Sequence, residues 1–196
     1  MTPAELAETD KPHALAWVRA AIMALATVDD PLTAAALTAN FGWARLGADQ
    51  QLLYCRRIGE TFASIDGVLD ASARHFTDVS DEAAGALFQG ALPPAYVSGP
   101  RIYFTSTFAP WDETTRRGLG PFCRTAMLIH EAVHVFDPRS GEPDIHVSEW
   151  DERFDGMTPE RLVHNPSAYA SFAAQVHTRA LTWPRSARFG AGNPSA

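Results

Sequence analysis

The chain has 196 residues, of which 46% are hydrophobic and 20% are charged, and its formal net charge is −7 at pH 7. This length suits one domain with a substantial core, and the acidic balance argues against a nucleic-acid-binding protein, which normally carries a basic surface. No apolar run is long enough to span a bilayer, which argues against a membrane protein.

The N-terminal segment bears on where the protein works. "MTPAELAETDKPHALAW" is acidic and lacks a basic stretch followed by an apolar one, so it does not have the pattern of a secretory signal. We therefore expect a cytoplasmic protein, and secretion or delivery as an effector is the alternative. The sequence makes no prediction of the oligomeric state.

The chain has two cysteines, Cys55 and Cys123. They are too few for a disulfide framework and too far apart for a CxxC metal site. Two buried thiols are the expectation, and a single disulfide between them is the alternative.

The first half of the chain carries helix signals. Periodic apolar residues predict helices over about residues 10–26, 31–42 and 49–62. Asp10 would cap the first helix, which leaves residues 1–9 as a frayed end. Residues 64–80 are ambiguous, and "ARHFTDV" within them could be a strand. "DEAAGALFQGAL" then predicts a further helix.

The second half combines a small β element with further helices. "AYVSGPRIYFTSTF" predicts two short strands around the turn "SGP". A helix follows over about residues 120–136, because "GP" precedes it and a proline comes shortly after it. "TP" at 158–159 and "NP" at 165–166 each pair a capping residue with a proline at the first helical position.

These elements predict one domain over residues 1–196, of the α+β class and mainly helical. The strands do not alternate with helices, which argues against an α/β fold. The last residues, 188–196, are small and polar and are expected to fray.

The segment "TAMLIHEAVHVFD" inside the predicted helix contains the pattern HExxH. Residues four positions apart share one face of a helix, so His130 and His134 can offer imidazole nitrogens to one metal ion. Glu131 could then take a proton from a water molecule bound to that ion. A chance match in this chain has a probability of roughly one per cent, and zinc peptidases use this pattern. We expect one Zn²⁺ per chain; the alternative is an amphipathic helix with two hydrogen-bonded histidines.

The helix supplies two metal ligands, so a third ligand must come from elsewhere in the chain. The following segment supplies side chains that could bind a metal in principle: Asp137, Asp144, His146, Glu149, Asp151 and Asp155. Asp137 would lie on the same helix as the two histidines, where a third ligand usually cannot complete a tetrahedron. A returning segment is favoured, which points to residues 144–155.

"LIHEAVHVF" followed by "NPSAYASFA" resembles the aspzincin metallopeptidases, the deuterolysin and lysine-specific metallo-endopeptidase group. The resemblance is clearest over residues 100–178 and implies a zincin-like fold around an HExxH helix. It also implies that His130 and His134 bind zinc and that Glu131 is the general base. The third ligand would be an aspartate that is followed three residues later by a tyrosine.

The segment between these motifs departs from the family pattern. Asp151 keeps the spacing to an aromatic residue, but Phe154 stands where the family has tyrosine. Asp144 has Val147 at the aromatic position, and Glu149 would make a glutamate-type site. We rank Asp151 first, Glu149 second and Asp144 third. The alternative role for Asp151 is to cap a helix.

The family's tyrosine hydroxyl is thought to help stabilise the oxyanion of the tetrahedral intermediate, which Phe154 cannot do. Tyr169, His146 or His164 could replace it if the fold brings one of them near. The alternative places Tyr169 in the core of the last helix and treats both histidines as ordinary surface or supporting residues.

The closing motif bears on substrate choice. In lysine-specific members of the family, acidic residues of this helix attract the lysine side chain. The matching positions here are Ser167 and Ala170, which cannot pair with an ammonium group. We therefore do not expect lysine specificity, and we expect Asn165 to cap the helix. An extended peptide would pair with an edge strand over about residues 101–107.

Together these patterns predict a zinc-dependent metallo-endopeptidase that acts on a peptide or protein substrate. The alternative is a catalytically weak or inactive zinc-binding protein that serves as a binding module. Phe154 supports this alternative, whereas Glu131 argues against it, because metal binding alone does not need that carboxylate. A third possibility, a helical interaction domain without metal, predicts no zinc.

Overall fold

The computed structural model describes residues 1–110, 123–149 and 151–180. Its helices are α1 (Pro3–Leu25), α2 (Pro31–Phe41), α3 (Ala48–Asp70), α4 (Ser72–His75), α5 (Asp81–Leu87), α6 (Arg124–Phe136), α7 (Arg153–Gly156), α8 (Pro159–Leu162) and α9 (Pro166–Thr178). Its strands are β1 (Phe76–Asp78), β2 (Ala95–Ser98) and β3 (Arg101–Phe104). The described chain is mainly helical with one small sheet, which confirms the α+β class.

Helix α1 begins earlier than the sequence predicted. Thr2 is its N-cap, and it forms a capping box in which the Glu5 carboxylate accepts a hydrogen bond from the Thr2 backbone N–H at 2.7 Å. Residues 3–9 therefore belong to the helix instead of forming a frayed end, and Asp10 lies within the helix instead of capping it. The predicted fraying of residues 188–196 falls outside the described residues.

Helices α2 and α3 follow the predicted signals, with one difference in length. Asp30 caps α2 by accepting a hydrogen bond from the backbone N–H of Thr33 at 3.0 Å, and Gly42 ends it with a left-handed φ of 67°. Helix α3 continues past its predicted end at Phe62, because Ile65 and Leu69 extend its buried face.

Helix α9 forms the centre of the core, and α1, α2 and α6 all pack against it. Every residue from 166 to 176 is buried. The rings of Phe41 and Phe62 contact Tyr169 with centroid separations of 5.1 and 5.2 Å, and both also contact Phe172. This aromatic cluster makes α9 a rigid support for α6.

The sheet has the strand order β1-β3-β2. Strand β3 pairs in parallel with β1 and antiparallel with β2. The prediction that residues 101–107 offer an edge strand to a peptide is therefore wrong, since both sides of β3 are already paired. The outer strands are β1 and β2, and β2 packs against α6.

Neither Cys55 nor Cys123 is in a disulfide, but only Cys123 is a buried thiol of the kind that the sequence predicted for both. Cys55 is half-buried on α3, and Cys123 is buried at the start of α6. In the described ranges, no helix combines the length and the apolar character that crossing a bilayer requires.

Candidate metal centre

Helix α6 carries His130 and His134 one turn apart, and both side chains are half-buried. The opposite side of the helix is fixed in the core by Leu128, Ile129, Ala132 and Val133. Its first residue, Arg124, forms an ion pair with Asp10 of α1 and donates a hydrogen bond to the backbone oxygen of Ala109 at 2.9 Å. The helix is therefore held at its start and along its apolar face.

A tight turn after α6 brings His146 back to the two helix histidines. The backbone N–H groups of Ile145 and His146 both donate to the carbonyl oxygen of Glu142, at 2.9 and 2.7 Å. Ile145 is fully buried and anchors the turn, whereas His146 is exposed. The Nε2 atom of His130 lies 2.9 Å from that of His146 and 3.3 Å from that of His134.

The donor set and its spacing fit a metal ion. One nitrogen from each of the three histidines lies within 4.8 Å of the other two. Nitrogens bound at about 2.0–2.1 Å to a tetrahedral zinc ion are about 3.3 Å apart, which is close to the distances seen here. Imidazole ligands suit zinc, copper, nickel and iron better than magnesium or calcium. The cluster could therefore hold a transition-metal ion.

Hydrogen bonding fixes the proton position on His134. The hydroxyl of Ser140 donates its only proton to the carbonyl oxygen of Asp137 at 2.6 Å. Its contact of 2.7 Å with Nδ1 of His134 must then be donated by the imidazole N–H. Nδ1 of His134 therefore carries the proton, and Nε2 presents a lone pair to the cluster, as a metal ligand does.

Helix α9 supports the other two histidines. The hydroxyl of Ser167 lies 3.4 Å from Nδ1 of His130. Asn165 caps α9, as predicted, by accepting a hydrogen bond from the backbone N–H of Ser167 at 2.8 Å. Its amide also donates to the carbonyl oxygen of Val147 at 2.7 Å, so the same side chain fixes the segment next to His146.

Burial keeps the imidazoles neutral, which is the form that binds a metal. It lowers the pKa of His130 well below its usual value, and the neighbouring His134 and His146 lower it further. It lowers the pKa of His134 to about 4, with His146 adding to the shift and Asp137 opposing it. Desolvation by the neighbouring protein atoms also lowers the pKa of His146, although part of this side chain is exposed to solvent.

Glu131 follows the first helix histidine and lines the same cavity. Its side chain is buried, and this burial raises the pKa of the carboxyl group to about 8. Without a nearby cation, Glu131 therefore holds a proton at neutral pH. A cation among the histidines would favour the carboxylate, because opposite charges stabilise each other at short range.

The third member of the cluster differs from the ligand that the sequence ranked first. Asp151 accepts hydrogen bonds from the guanidinium of Arg153 at 2.6 Å and from its backbone N–H at 2.9 Å. Arg153 is the first residue of α7, whose N-cap is Glu152. Asp144 is exposed and pairs with Arg161 at 2.8 Å. Glu149 is buried and lines the cavity, but it is not part of the three-nitrogen group.

The physical reason for this difference is the turn at residues 142–146. Its two hydrogen bonds to the carbonyl of Glu142 reverse the chain soon after α6, so the ring of His146 reaches His130 and His134, and Asp151 is not part of that group. The third histidine of the cluster still comes from the returning segment that the sequence favoured.

Tyr169, a predicted oxyanion donor, is part of the core. Its side chain is fully buried and its hydroxyl donates to the carbonyl oxygen of Val163 at 2.8 Å. Phe154 is also buried. His164 binds the Asp137 carboxylate through Nδ1 at 2.6 Å. Of the three proposed replacements for the family tyrosine, only His146 lies in the histidine cluster, where it could be a metal ligand.

A cavity of about 470 Å³ opens beside the cluster. Its walls come from α6, α9, the start of β2 and the segment that follows His146. His130, Glu131 and His146 face it, together with Ser167 and Ala170 of the closing helix. The two closing-helix positions that bear on substrate choice therefore line this cavity.

Two supporting residues had no recognisable signal in the sequence. Ser140 acts through a turn whose shape depends on the hydrogen bonds of Asp137 and Glu142. The second role of Asn165, toward Val147, spans 18 positions and needs the tertiary fold. A serine or a capping asparagine is too common in sequences to indicate either contact.

Comparisons of the chain with family models, with curated proteins and with solved structures found no match. The interpretation of the site therefore rests on its geometry and on the sequence motifs that form it.

Proposed function

We propose that the protein is a zinc-dependent metallo-endopeptidase in which His130, His134 and His146 bind zinc and Glu131 is the general base. One observation carries the proposal: three imidazole nitrogens converge within 4.8 Å, beside a buried glutamate that directly follows the first histidine. A protein that only carried a metal would not need that carboxylate.

Three protein ligands leave one position of a tetrahedral zinc ion open, as catalytic zinc sites do. Bound zinc would supply a Lewis acid for the scissile carbonyl and would lower the pKa of a bound water to about 7. All three ligands are neutral, so they would leave the divalent charge of the site uncompensated, unlike a site with two histidines and a carboxylate.

The chain's own groups would perform the proton transfers. Glu131 would accept a proton from the attacking water and deliver it to the leaving amine. Ser140 would keep His134 in the tautomer that presents Nε2, and Ser167 lies at the corresponding nitrogen of His130. These hydroxyls would hold the ligand geometry without adding charge.

The resemblance to aspzincins supports this proposal over residues 100–178. His146 modifies it, because an imidazole would replace the family's aspartate as the third ligand. We therefore propose a zincin-like enzyme with a three-histidine site. The closing helix α9, with its asparagine cap, would support the site from behind.

A peptide or protein is the proposed substrate. Strand β2 is an outer strand of the sheet, and its first residue, Ala95, lines the cavity. An extended peptide would therefore add to β2, in place of the predicted pairing with β3.

The second candidate function is a zinc-binding protein without peptidase activity. Phe154 and Tyr169 favour it, because the first has no hydroxyl and the hydroxyl of the second is bonded to Val163 in the core. A site without an oxyanion donor would lose about 3–4 kcal/mol of transition-state stabilisation.

The metal assignment is tested by elemental mass spectrometry after zinc loading and removal of excess ion. We expect about one zinc per chain in the wild type and its loss in His134→Ala and His146→Ala. His13→Ala, an exposed histidine of α1, is the matched control and should retain zinc. Zinc loss in Asp151→Ala with retention in His146→Ala would reverse the third-ligand assignment.

The activity is tested by digestion of an unfolded protein with zinc-loaded wild type and Glu131→Gln. We expect proteolysis that the variant lowers at least about 100-fold, because it removes the general base. Zinc binding without proteolysis would support the second candidate, and an absence of zinc in the wild type would refute both.

A further inference from the structure

We propose that the cavity beside the three histidines binds one apolar side chain of the substrate and disfavours lysine, with Ala170 and Met127 limiting its size. This inference rests on the proposed function and specifies its substrate class. Its test measures ligand binding, so it can fail independently of peptidase activity.

The first wall of the cavity is a stripe on α6. Cys123, Ala126 and Met127 precede His130 at helical spacings that place them on the same face. Their methyl, methylene and thiol groups therefore continue directly from the metal cluster.

The opposite walls are also built from small apolar residues. Ala170 of α9, Ala95 of β2 and Pro94 before it line the cavity. Ala170 is 3% exposed and Ala126 is 2% exposed, so neither backbone position can move aside easily. A larger residue at position 170 would take up cavity volume.

The volume suits a side chain together with its backbone. At about 470 Å³, the cavity lies in the lower part of the range of about 300–1,000 Å³ that small-molecule sites occupy. An aliphatic or aromatic side chain that entered it would exchange water for apolar contacts, at roughly 25 cal/mol per Å² of apolar surface buried.

Apart from Glu131 and Glu149, the charged residues that line the cavity are paired with each other. Asp151 is paired with Arg153 at 2.6 Å, so these two residues together add no net charge. Ser167 supplies a hydroxyl where a lysine-binding site would need a carboxylate. Bound zinc with three neutral ligands would repel a second cation, and burying an ammonium in an apolar wall is costly unless it is paired.

A preference of the cavity for basic side chains would depend on Glu149. It is buried, lines the cavity and accepts a hydrogen bond from the hydroxyl of Ser148 at 3.4 Å. If its carboxylate received a basic side chain, Glu149→Gln would abolish that binding. The same variant should have little effect on an apolar ligand.

The experiment uses zinc-loaded protein and the Nα-acetylated hydroxamates of alanine, leucine and lysine, with dissociation constants measured by calorimetry. The hydroxamate group binds zinc in all three probes, so their differences report the side-chain pocket. We expect the leucine compound to bind at least tenfold more tightly than the lysine and alanine compounds.

Two variants test the walls. Ala170→Leu should weaken binding of the leucine compound at least tenfold and change binding of the alanine compound less than threefold. The new side chain would occupy cavity volume that the leucine compound needs and the alanine compound does not. Met127→Ala should improve binding of a fourth probe, the Nα-acetylated hydroxamate of phenylalanine, relative to the leucine compound. Ala63→Leu, the same substitution on the exposed side of α3, is the control and should change neither ratio. Thermal unfolding and zinc content identify any variant that fails to fold.

Each outcome separates the two proposals. Equal or tighter binding of the lysine compound, or no binding of any hydroxamate to zinc-loaded protein, would overturn the apolar pocket. Loss of that lysine binding in Glu149→Gln would assign it to Glu149. Selective leucine binding without proteolysis would leave the pocket standing and refute the peptidase. Proteolysis without leucine selectivity would refute the apolar pocket and leave the peptidase proposal standing.

Discussion

His134 is held in its metal-binding tautomer by a single hydroxyl group. Ser140 uses its proton on the carbonyl of Asp137, so it can only accept from the imidazole N–H. A carboxylate often has this role in metal sites, and it would raise the ligand's basicity more strongly. Here a neutral hydroxyl orients the ring without adding charge to the site.

The first prediction concerns this hydroxyl. Ser140→Ala should lower zinc affinity about 10–100-fold, because the variant leaves the tautomer and ring orientation of His134 unfixed. Competition with a chromogenic chelator measures the change. Ser64→Ala, which removes a serine bond to the carbonyl of Glu60 on α3, is the matched control and should keep wild-type affinity. Equal affinities in both variants would show that Ser140 does not position the ligand.

The second prediction concerns the pH dependence of the metal-free protein. Burial raises the pKa of Glu131 from its usual value of 4.5 to about 8. The native state therefore favours the protonated form, and this stabilising contribution is complete below pH 4.5 and is lost as the pH rises through 8. Glu131→Gln cannot ionise, so its melting temperature should exceed that of the wild type by an amount that grows between pH 5 and pH 8.5.

This comparison is made in excess chelator by thermal unfolding. The two proteins differ only at position 131, so the pH dependence of the difference between their melting temperatures reports on that side chain. A difference in melting temperature that stays constant across this pH range would show that the carboxyl group has an ordinary pKa.

At the scale of elements, helix α9 organises the site from behind α6. Its N-cap, Asn165, joins the first turn of α9 to the backbone at Val147 and thereby to the segment that carries His146. Helix α9 also places Ser167 and Ala170 at the cavity. The closing motif thus supports both the three histidines and the wall of the cavity beside them.

The third prediction tests this double role. Asn165→Ala should lower the free energy of unfolding by at least about 1 kcal/mol through loss of the cap, and it should also weaken zinc binding. Asp30→Ala removes the cap of α2 and serves as the control, which should lose stability without losing zinc affinity. Denaturant unfolding and zinc competition give the two quantities. Similar zinc affinities in the two variants would limit Asn165 to capping.

At the scale of the whole molecule, the three histidines come from one helix and the turn that follows it. A metal ion would therefore join α6 to the returning segment, while the aromatic core around α9 stays the same. Binding to the native state alone stabilises it by mass action, by about 2.7 kcal/mol at a free-ligand concentration 100 times the dissociation constant.

The fourth prediction follows from this linkage. Zinc should raise the melting temperature of the wild type by roughly 5–10 °C at that concentration, because about 1 kcal/mol corresponds to about 2–4 °C in a chain of this length. Differential scanning calorimetry measures the rise. His146→Ala should show no comparable rise, whereas His13→Ala should match the wild type. A full rise in His146→Ala would exclude it as a ligand.

The sequence by itself determined the features that depend on local spacing. A repeat of three and four residues fixes which side of α6 enters the core, and it places His130 and His134 one turn apart. The cap at Asn165 and the turn between β2 and β3 were readable because capping and turn formation involve neighbouring residues. Composition and element order sufficed for the α+β class.

Only the tertiary structure decided the features that depend on contacts between residues far apart in the sequence. His146 and Asp151 both lie on the returning segment, and local spacing did not distinguish them; the turn at Glu142 did. The aromatic packing of Tyr169 against Phe41 and Phe62 decided that its hydroxyl is in the core. The pairing of β3 on both sides also joins residues far apart in the chain. Such contacts arise when whole elements pack together, so no short pattern of residues encodes them.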